Sequence, residues 1–454
     1  MCVNLAHYQA GTSEIFVQLF SIYCCPPQPL AILLALLNKE PRHLNTDNTN
    51  PRICLLTDSY YPVVGGGEAH ARLLCAELRR LGVPVFVVTG HKVPVSPSFE
   101  AVDGVPVYRV PPAGFKRLGK YLMLGSSFWR LIRMRRDYDV IYVCGIRTLG
   151  LIAVVAARLL GKGCVLRSES RGELSGGFIW EKTDGRINRV LKSLFILPVA
   201  IRNLVLRRAD AFLSIAGVIR DEYRACRVPE EKIADIPNGI DVQRFCPIDP
   251  ELKPGLRRKL NLPEQGRLFA YTGKLNRGKG LEFLVGVWKD WGARHPDCRL
   301  LLIGSGAMQF LSCEAELREY VTRNTMDEAV LFAGSVSNVE DYLRAADFFV
   351  FPSESEAMPL ALMEALATGL PTLASDIPGC RAVIADGREG RLAPPNDSAA
   401  WVAGLDTLAG DPARVAAWGR SGRETVVTTF AIARIAEAHL KLFKTVTGKG
   451  GRYD

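Results

Sequence analysis

The feature that narrows the folding options of this 454-residue chain furthest is a unit that keeps returning: a short apolar run, a turn rich in glycine, then a stretch of helical periodicity. Ile53 to Thr57, Val85 to Thr89, Val105 to Val110, Val140 to Cys144, Val165 to Ser168 and Ala211 to Ile215 read as strands, with helices from about Glu68 to Leu81 and Leu149 to Leu160. The unit starts again in RLFAYTGK at Arg267 and recurs in LLLIGSGA, VLFAGSV and ADFFVFPS. Short apolar strands alternating with helices make a parallel sheet covered on both faces. The length supports two such sheets, so the fold class is α/β, with two doubly wound domains.

Charge separates the halves. Residues 51–245 carry 30 Lys and Arg against 18 Asp and Glu, whereas residues 246–454 carry 25 against 26. The twelve cysteines stand singly apart from Cys24 and Cys25, without metal-ligand spacing, as expected of free thiols in a reducing cytosol. Residues 1–51 read as an extension. Ile15 to Leu37 has no charged residue, but Pro26, Pro27 and Pro29 interrupt it, and no Lys or Arg precedes it as a signal peptide requires. A poorly ordered or mis-assigned extension, a membrane-associated hairpin and a true span all fit. Were it inserted, Lys39 and Arg42 against Glu14 would leave the main body in the cytoplasm.

The most informative chemistry lies in FPSESEAMPLALMEALATG, Phe351 to Gly369. A strand ends at Phe351, Pro352 and Ser353 break it, and a helix is expected near Met358 with Pro359 in its first turn. Glu356 falls in the loop and Glu364 inside the helix, beside Leu360 and Ala367, so Glu364 needs a partner: a structural ion pair or a hydroxyl-rich ligand. A helix N-terminus at this place also suits a phosphate.

This stretch resembles the Glu-seven-Glu element of retaining, family-four type glycosyltransferases of GT-B fold (glycosyl transferases group 1), in the variant with Met-Pro after the first Glu. The resemblance implies two Rossmann-like domains facing across a cleft: residues 52–246 for the acceptor, a linker at 247–266, residues 267–430 for the nucleotide sugar, and a helix at 431–446 returning to the first domain. It implies that Glu356 contacts the donor sugar and Glu364 the ribose, with Met358, Pro359 and Leu360 at the same donor site. Lys274 and Lys279, beside Gly278 and Gly280, match the family's donor-phosphate site, although most relatives carry Arg where this chain has Lys274. Gly66, Gly67 and Glu68 match the glycine loop that faces the diphosphate, and IADIPNGIDVQRF the interdomain element. The catalytic set implied is Lys274, Lys279 and Glu356. No cofactor and no metal are expected, since paired cations can stabilise the leaving diphosphate.

The family's acceptor-side His is missing from LRSESRG. The six His stand at 7, 43, 70, 91, 295 and 439, leaving Glu169 or Ser170 as acceptor-side candidates beside the reading of an unremarkable loop. Two basic amphipathic stretches mark the first half. One interleaves Lys116, Arg117, Lys120, Arg130, Arg133, Arg135 and Arg136 with Phe115, Tyr121, Phe128 and Trp129; the other runs from Arg186 to Arg208. An anionic membrane surface, a pyrophosphate-bearing acceptor or a solvated helix face would explain them; nucleic acid is not expected, because no reading motif accompanies the charge. The expected activity is retaining hexosyl transfer from a UDP- or GDP-sugar to a glycan or lipid-linked acceptor in polysaccharide biosynthesis. The setting would be cytoplasmic, peripheral on the inner face of the membrane. The rivals are a nucleotide-sugar epimerase of the same fold and a binding protein without turnover.

Overall fold

The computed structural model describes residues 50–63, 65–114, 119–177, 189–307 and 311–448. The readings of the N-terminal extension, of Phe115 to Arg117 and of the Arg186 end of the second basic stretch lie outside these residues.

The first domain is an eight-stranded sheet of β1 (Ile53–Thr57), β2 (Val85–Gly90), β3 (Phe99–Val102), β4 (Val105–Val110), β5 (Val140–Cys144), β6 (Gly163–Arg167), β7 (Ala211–Ser214) and β8 (Ile233–Asp235), in the order β3-β4-β2-β1-β5-β6-β7-β8. All pairings are parallel except β3 with β4. β1, β2, β5, β6 and β7 are buried along their whole length, which is why they read as unbroken apolar runs rather than alternating ones. The second domain has β9 (Arg267–Thr272), β10 (Cys298–Ile303), β11 (Val330–Gly334), β12 (Phe348–Phe351), β13 (Thr372–Ser375) and β14 (Arg391–Ala393), ordered β11-β10-β9-β12-β13-β14 and parallel throughout. Phe269 of β9 anchors its core, meeting Trp288, Trp291 and Phe348 at centroid distances of 5.2, 5.5 and 4.6 Å. In both sheets the order reverses direction beside the first strand, and the cleft ends of the strands meet there.

Several local readings change. The hairpin strand β3 was not expected; it is joined to β4 through Asp103 (φ 49°) and Gly104 (φ 76°), a two-residue turn with both residues left-handed. The segment read as a linker contains the helix Lys253–Lys259, fastened to the second domain by Arg257. That guanidinium donates to the carbonyls of Ala345 (2.9 Å) and Gly266 (2.9 Å) and pairs with Asp347 (2.5 Å). The helix expected near Met358 spans Leu360–Ala367, with Pro359 as its extended N-cap (φ −77°, ψ 116°), because a proline nitrogen gives that position no donor to lose.

The terminal helix Ile432–Val446 lies on the first domain. Ile435, Ala436, Leu442 and Phe443 are buried, and His439 donates from Nδ1 to the Ile435 carbonyl (2.8 Å) and accepts at Nε2 from Tyr142 Oη (3.2 Å), while Phe443 stacks edge-on against Tyr142 at 5.4 Å. The chain thus crosses between domains twice, and the two crossings are stitched together: Ile240 N–H donates to the Phe430 carbonyl (2.8 Å) and Ile432 N–H to the Ile240 carbonyl (2.9 Å). Arg423 adds hydrogen bonds to the carbonyls of Val242 (3.0 Å), Phe245 (2.6 Å) and Ala367 (2.6 Å).

Candidate active site

The second-domain wall is built from two loops at the ends of β9 and β12. Gly280 has φ +68°, and a Cβ there would stand 2.0 Å from the Pro352 carbonyl oxygen, so only glycine lets the loop after β9 lie against the loop after β12. Glu354 N–H donates to the Gly278 carbonyl at 3.1 Å. This contact brings Lys279 to Glu356: Nζ to Oε1 is 2.5 Å, and Ser353 Oγ donates to the same oxygen at 2.9 Å. Lys279 leads into the helix Leu281–Arg294, so a charge-assisted pair forms at that helix start. Lys274 is exposed; only its carbonyl is engaged, by Tyr271 Oη at 3.2 Å.

The helix Leu360–Ala367 has neither a side-chain cap nor an acid in its first turn, leaving its N-terminal dipole uncompensated by the chain. Glu364 lies half-buried on it. Burial pushes its carboxyl up to about 7, opposed by Arg244 and reinforced by Glu340. Of the two partners the sequence offers Glu364, the structural ion pair does not form among the described residues. Arg244 spends its guanidinium on Glu340 (2.7 Å) and the Ser337 carbonyl (3.2 Å). Met358 is 6% exposed, turned to the domain junction rather than open to the cleft, and Pro359 is buried beside it.

Across the cleft, the glycine loop of the first domain faces both walls. A Cβ on Gly66 would lie 3.8 Å from Leu360 Cδ1 of the opposite domain, and one on Gly67 would lie 2.6 Å from both carboxylate oxygens of Glu169. Glu68 does not reach outward: Ser59 Oγ donates to it at 2.5 Å, and it curls back over Gly65. Glu169 stands at the end of β6 between Gly67 and Gly145. Burial raises its pKa, Arg167 opposes this, and Glu173, Glu68 and Asp58 add to it. Ser170 is exposed, but its hydroxyl is spent on Glu173 at 3.1 Å. Of the two acceptor-side candidates, only Glu169 presents a carboxylate along the glycine loop.

Beneath Glu169 lies a cation that sequence reasoning passed over. Arg167 is 1% exposed, 3.9 Å from Glu169 Oε1, and donates to Asn238 Oδ1 at 2.7 Å. Asn238 in turn donates from Nδ2 to the Met358 carbonyl (3.2 Å) and from its backbone to Met358 Sδ (3.3 Å). This chain of contacts ties the Glu169 carboxylate, through Arg167 and Asn238, to the residues that open the helix Leu360–Ala367. A charged residue inside an otherwise apolar buried strand was the available signal. His70 and His439 are both buried, and burial and Arg167 hold them neutral, His439 at about 3. Among the described residues no three His, Cys, Asp or Glu form a group able to hold a metal, the nine described cysteines are free, and no helix is long and apolar enough to cross a membrane.

Comparison with known proteins agrees with this architecture. Residues 64–244 match the model of glycosyltransferase family 4, and residues 266–411 that of glycosyl transferases group 1. Alpha-monoglucosyldiacylglycerol synthase of Streptococcus pneumoniae is 25% identical over 352 residues, 75% of this chain and 75% of the relative. Sucrose-phosphate synthase from Thermosynechococcus elongatus superposes with a TM-score of 0.73 at 21% identity, over 87% of this chain and 99% of that one. Anabaena HepE in complex with UDP and glucose superposes with a TM-score of 0.69 at 17% identity, over 87% and 100%. The two family matches together take in most of both domains, and the chain belongs to the glycosyltransferases of family-four type, with the GT-B fold.

Proposed function

We propose that this glycosyltransferase moves a hexose from a UDP- or GDP-sugar to a hydroxyl of a glycan or lipid-linked acceptor, with retention of anomeric configuration. The observation that carries the reading is the Lys279–Glu356 pair, placed at one helix start and facing the uncapped start of another. A diphosphate entering here meets Lys279, Lys274 and the dipole of the helix Leu360–Ala367, with Gly66 and Gly67 close above it. As the glycosidic bond breaks, charge gathers on the departing oxygen, and these fixed cations stabilise it more than they stabilise the bound donor. Glu356 is thereby released toward the sugar hydroxyls, Glu364 receives the ribose hydroxyls, and Glu169 orients the acceptor hydroxyl. The two lysines supply the charge stabilisation that a divalent ion gives elsewhere, so no metal is needed.

A membrane setting is supported by one face of the first domain. The helix Gly119–Arg133 exposes Tyr121, Leu122 and Trp129 beside Arg133. The helices Ile146–Leu160 and Arg189–Leu206 pack in series beside it, adding exposed Leu151, Leu159, Ile201 and Leu204. Apolar side chains among arginines suit an anionic leaflet on the cytoplasmic side. The relative from Streptococcus pneumoniae is named for a diacylglycerol product, in keeping with a lipid acceptor.

The test is incubation with a panel of nucleotide sugars, following nucleoside diphosphate release with and without acceptor and the anomer of the product. Acceptor-dependent release with the donor's anomer kept is expected. An epimerised sugar, or tight binding without turnover on any acceptor, would replace transfer by one of its rivals.

A further inference from the structure

The two walls of the cleft treat negative charge in opposite ways. In the second domain one cation and the helix start are open: Lys274 is exposed while Lys279 is paired with Glu356, and the helix Leu360–Ala367 has no acid in its first turn. The first domain has filled the loop after β6 and the start of the helix Ile146–Leu160 with its own carboxylates. Glu173 accepts from Ile146 N–H (2.9 Å), the opening amide of the helix Ile146–Leu160, and from the amides of Glu169 (3.2 Å) and Ser170 (3.1 Å). Glu222 accepts from the amides of Gly172 (2.7 Å), Leu174 (2.9 Å) and Ser175 (2.8 Å). Glu68 sits in the first turn of the helix Gly66–Arg80. The amides of the loop after β6 and of the start of the helix Ile146–Leu160 are therefore spent, whereas the start of the helix Gly66–Arg80 has no side-chain cap.

Three of the cations nearby are committed as well, and a fourth, Arg171, is exposed on the same loop. Arg167 is buried behind Glu169 and bonded to Asn238, Lys92 pairs with Asp58 at 3.2 Å, and Arg147 lies beside Glu173. Beside the glycine loop the wall presents Glu169, whose carboxylate fits against Gly67 and near Gly145 because neither carries a side chain, and which is 33% exposed. A carboxylate with free lone pairs accepts from hydroxyl groups and repels anions.

We infer that the first-domain subsite selects an uncharged, hydroxyl-rich acceptor group, a sugar or a glycerol head, and excludes a phosphate from contact with Glu169. The inference rests on the transfer reading and deepens it. Any phosphate that an acceptor carries must lie outside this wall, away from the reacting hydroxyl. A phosphate placed at the wall would meet the Glu169 carboxylate, with Glu173, Glu68 and Asp58 behind it and Arg167 beneath offsetting part of their repulsion.

Two measurements on the full chain test it. First, inorganic phosphate and glucose 6-phosphate are titrated calorimetrically into the wild type and into a Lys274→Ala, Lys279→Ala double variant. Phosphate binding is expected in the wild type, in competition with UDP or GDP, and is expected to vanish in the double variant. Phosphate binding that survives in the double variant overturns the inference. Second, matched acceptors, methyl glucoside against glucose 6-phosphate, are compared with UDP-glucose and GDP-mannose as donors. The neutral member should be preferred at least tenfold, and Glu169→Gln should narrow that ratio whatever it does to the overall rate. A phosphorylated acceptor used as well as its neutral match overturns the inference. Failure to bind any nucleoside diphosphate or consume any donor would instead remove the transfer reading, while the phosphate titration would still decide the question of charge.

Discussion

Glu364 allows the donor assignment to be tested by proton counting. Its carboxyl is held at about 7 by burial, with Arg244 opposing and Glu340 adding to the rise. The folded chain therefore binds this proton more tightly than the unfolded chain does. The residue costs stability progressively as pH climbs from its ordinary value of 4.5 through about 7. That cost has a ceiling of roughly 3 kcal/mol, reached once the folded carboxyl is ionised. A ribose offers hydroxyl donors, which an ionised carboxylate accepts best. Nucleotide affinity should then fall as pH drops through 7, becoming about tenfold weaker near pH 6 than near pH 8, or ~1.4 kcal/mol. Calorimetry with UDP and GDP from about pH 5.5 to 8, in two buffers of different ionisation enthalpy, counts the protons released on binding. The nucleotide's terminal phosphate titrates in the same range, so the diagnostic quantity is the difference between the wild type and Glu364→Gln. The variant should bind more weakly at pH 8, lose one proton's worth of pH dependence and melt no lower than the wild type. Identical pH slopes in the two proteins would refute the reasoning.

Three further outcomes are expected. Lys274→Ala and Lys279→Ala should each lower turnover on the order of a hundredfold with a smaller loss of donor affinity, and Lys274→Arg should retain much of the rate; steady-state kinetics beside donor titration separate these effects. Turnover should survive EDTA, and loss of activity restored by Mn²⁺ would show that the lysines do not suffice. A protein lacking residues 1–50 should co-sediment with anionic vesicles at low salt and be released by moderate salt; equal recovery with neutral vesicles would leave the helix Gly119–Arg133 as a solvated surface.

The strands were legible because burial on both faces writes itself as unbroken apolar sequence, and Val140–Cys144 and Val105–Val110 end where their residues suggest. Phe99–Val102 hid because an edge strand has an exposed face and need not be apolar; its FEAV exposes Phe99. The signal for it was the Asp103-Gly104 turn between two valines. Residue types at the site could be read locally, but their partners could not. Lys279 meets Glu356 across 77 positions, Arg167 meets Asn238 across 71, and Asn238 meets Met358 across 120, distances over which no periodicity operates. Glu173 and Glu222 resemble ordinary polar positions in the sequence, and only the folded loop shows that their carboxylates gather its amides.

The terminal helix on the first domain bears on how this enzyme can be divided or recombined. Because Ile432–Val446 returns to cover Tyr142, the first domain is assembled from two separate lengths of chain, with the second domain inserted between them. A cut near residue 247 alone would strip the first domain of Phe443 and Leu442 while leaving an apolar tail hanging from the second. Exchanging donor specificity with a relative therefore calls for two crossovers, one at each strand of the Ile240–Ala431 bridge, so that the host keeps its own closing helix. Such a graft replaces the wall that carries the two lysines and leaves intact the wall that carries Glu169.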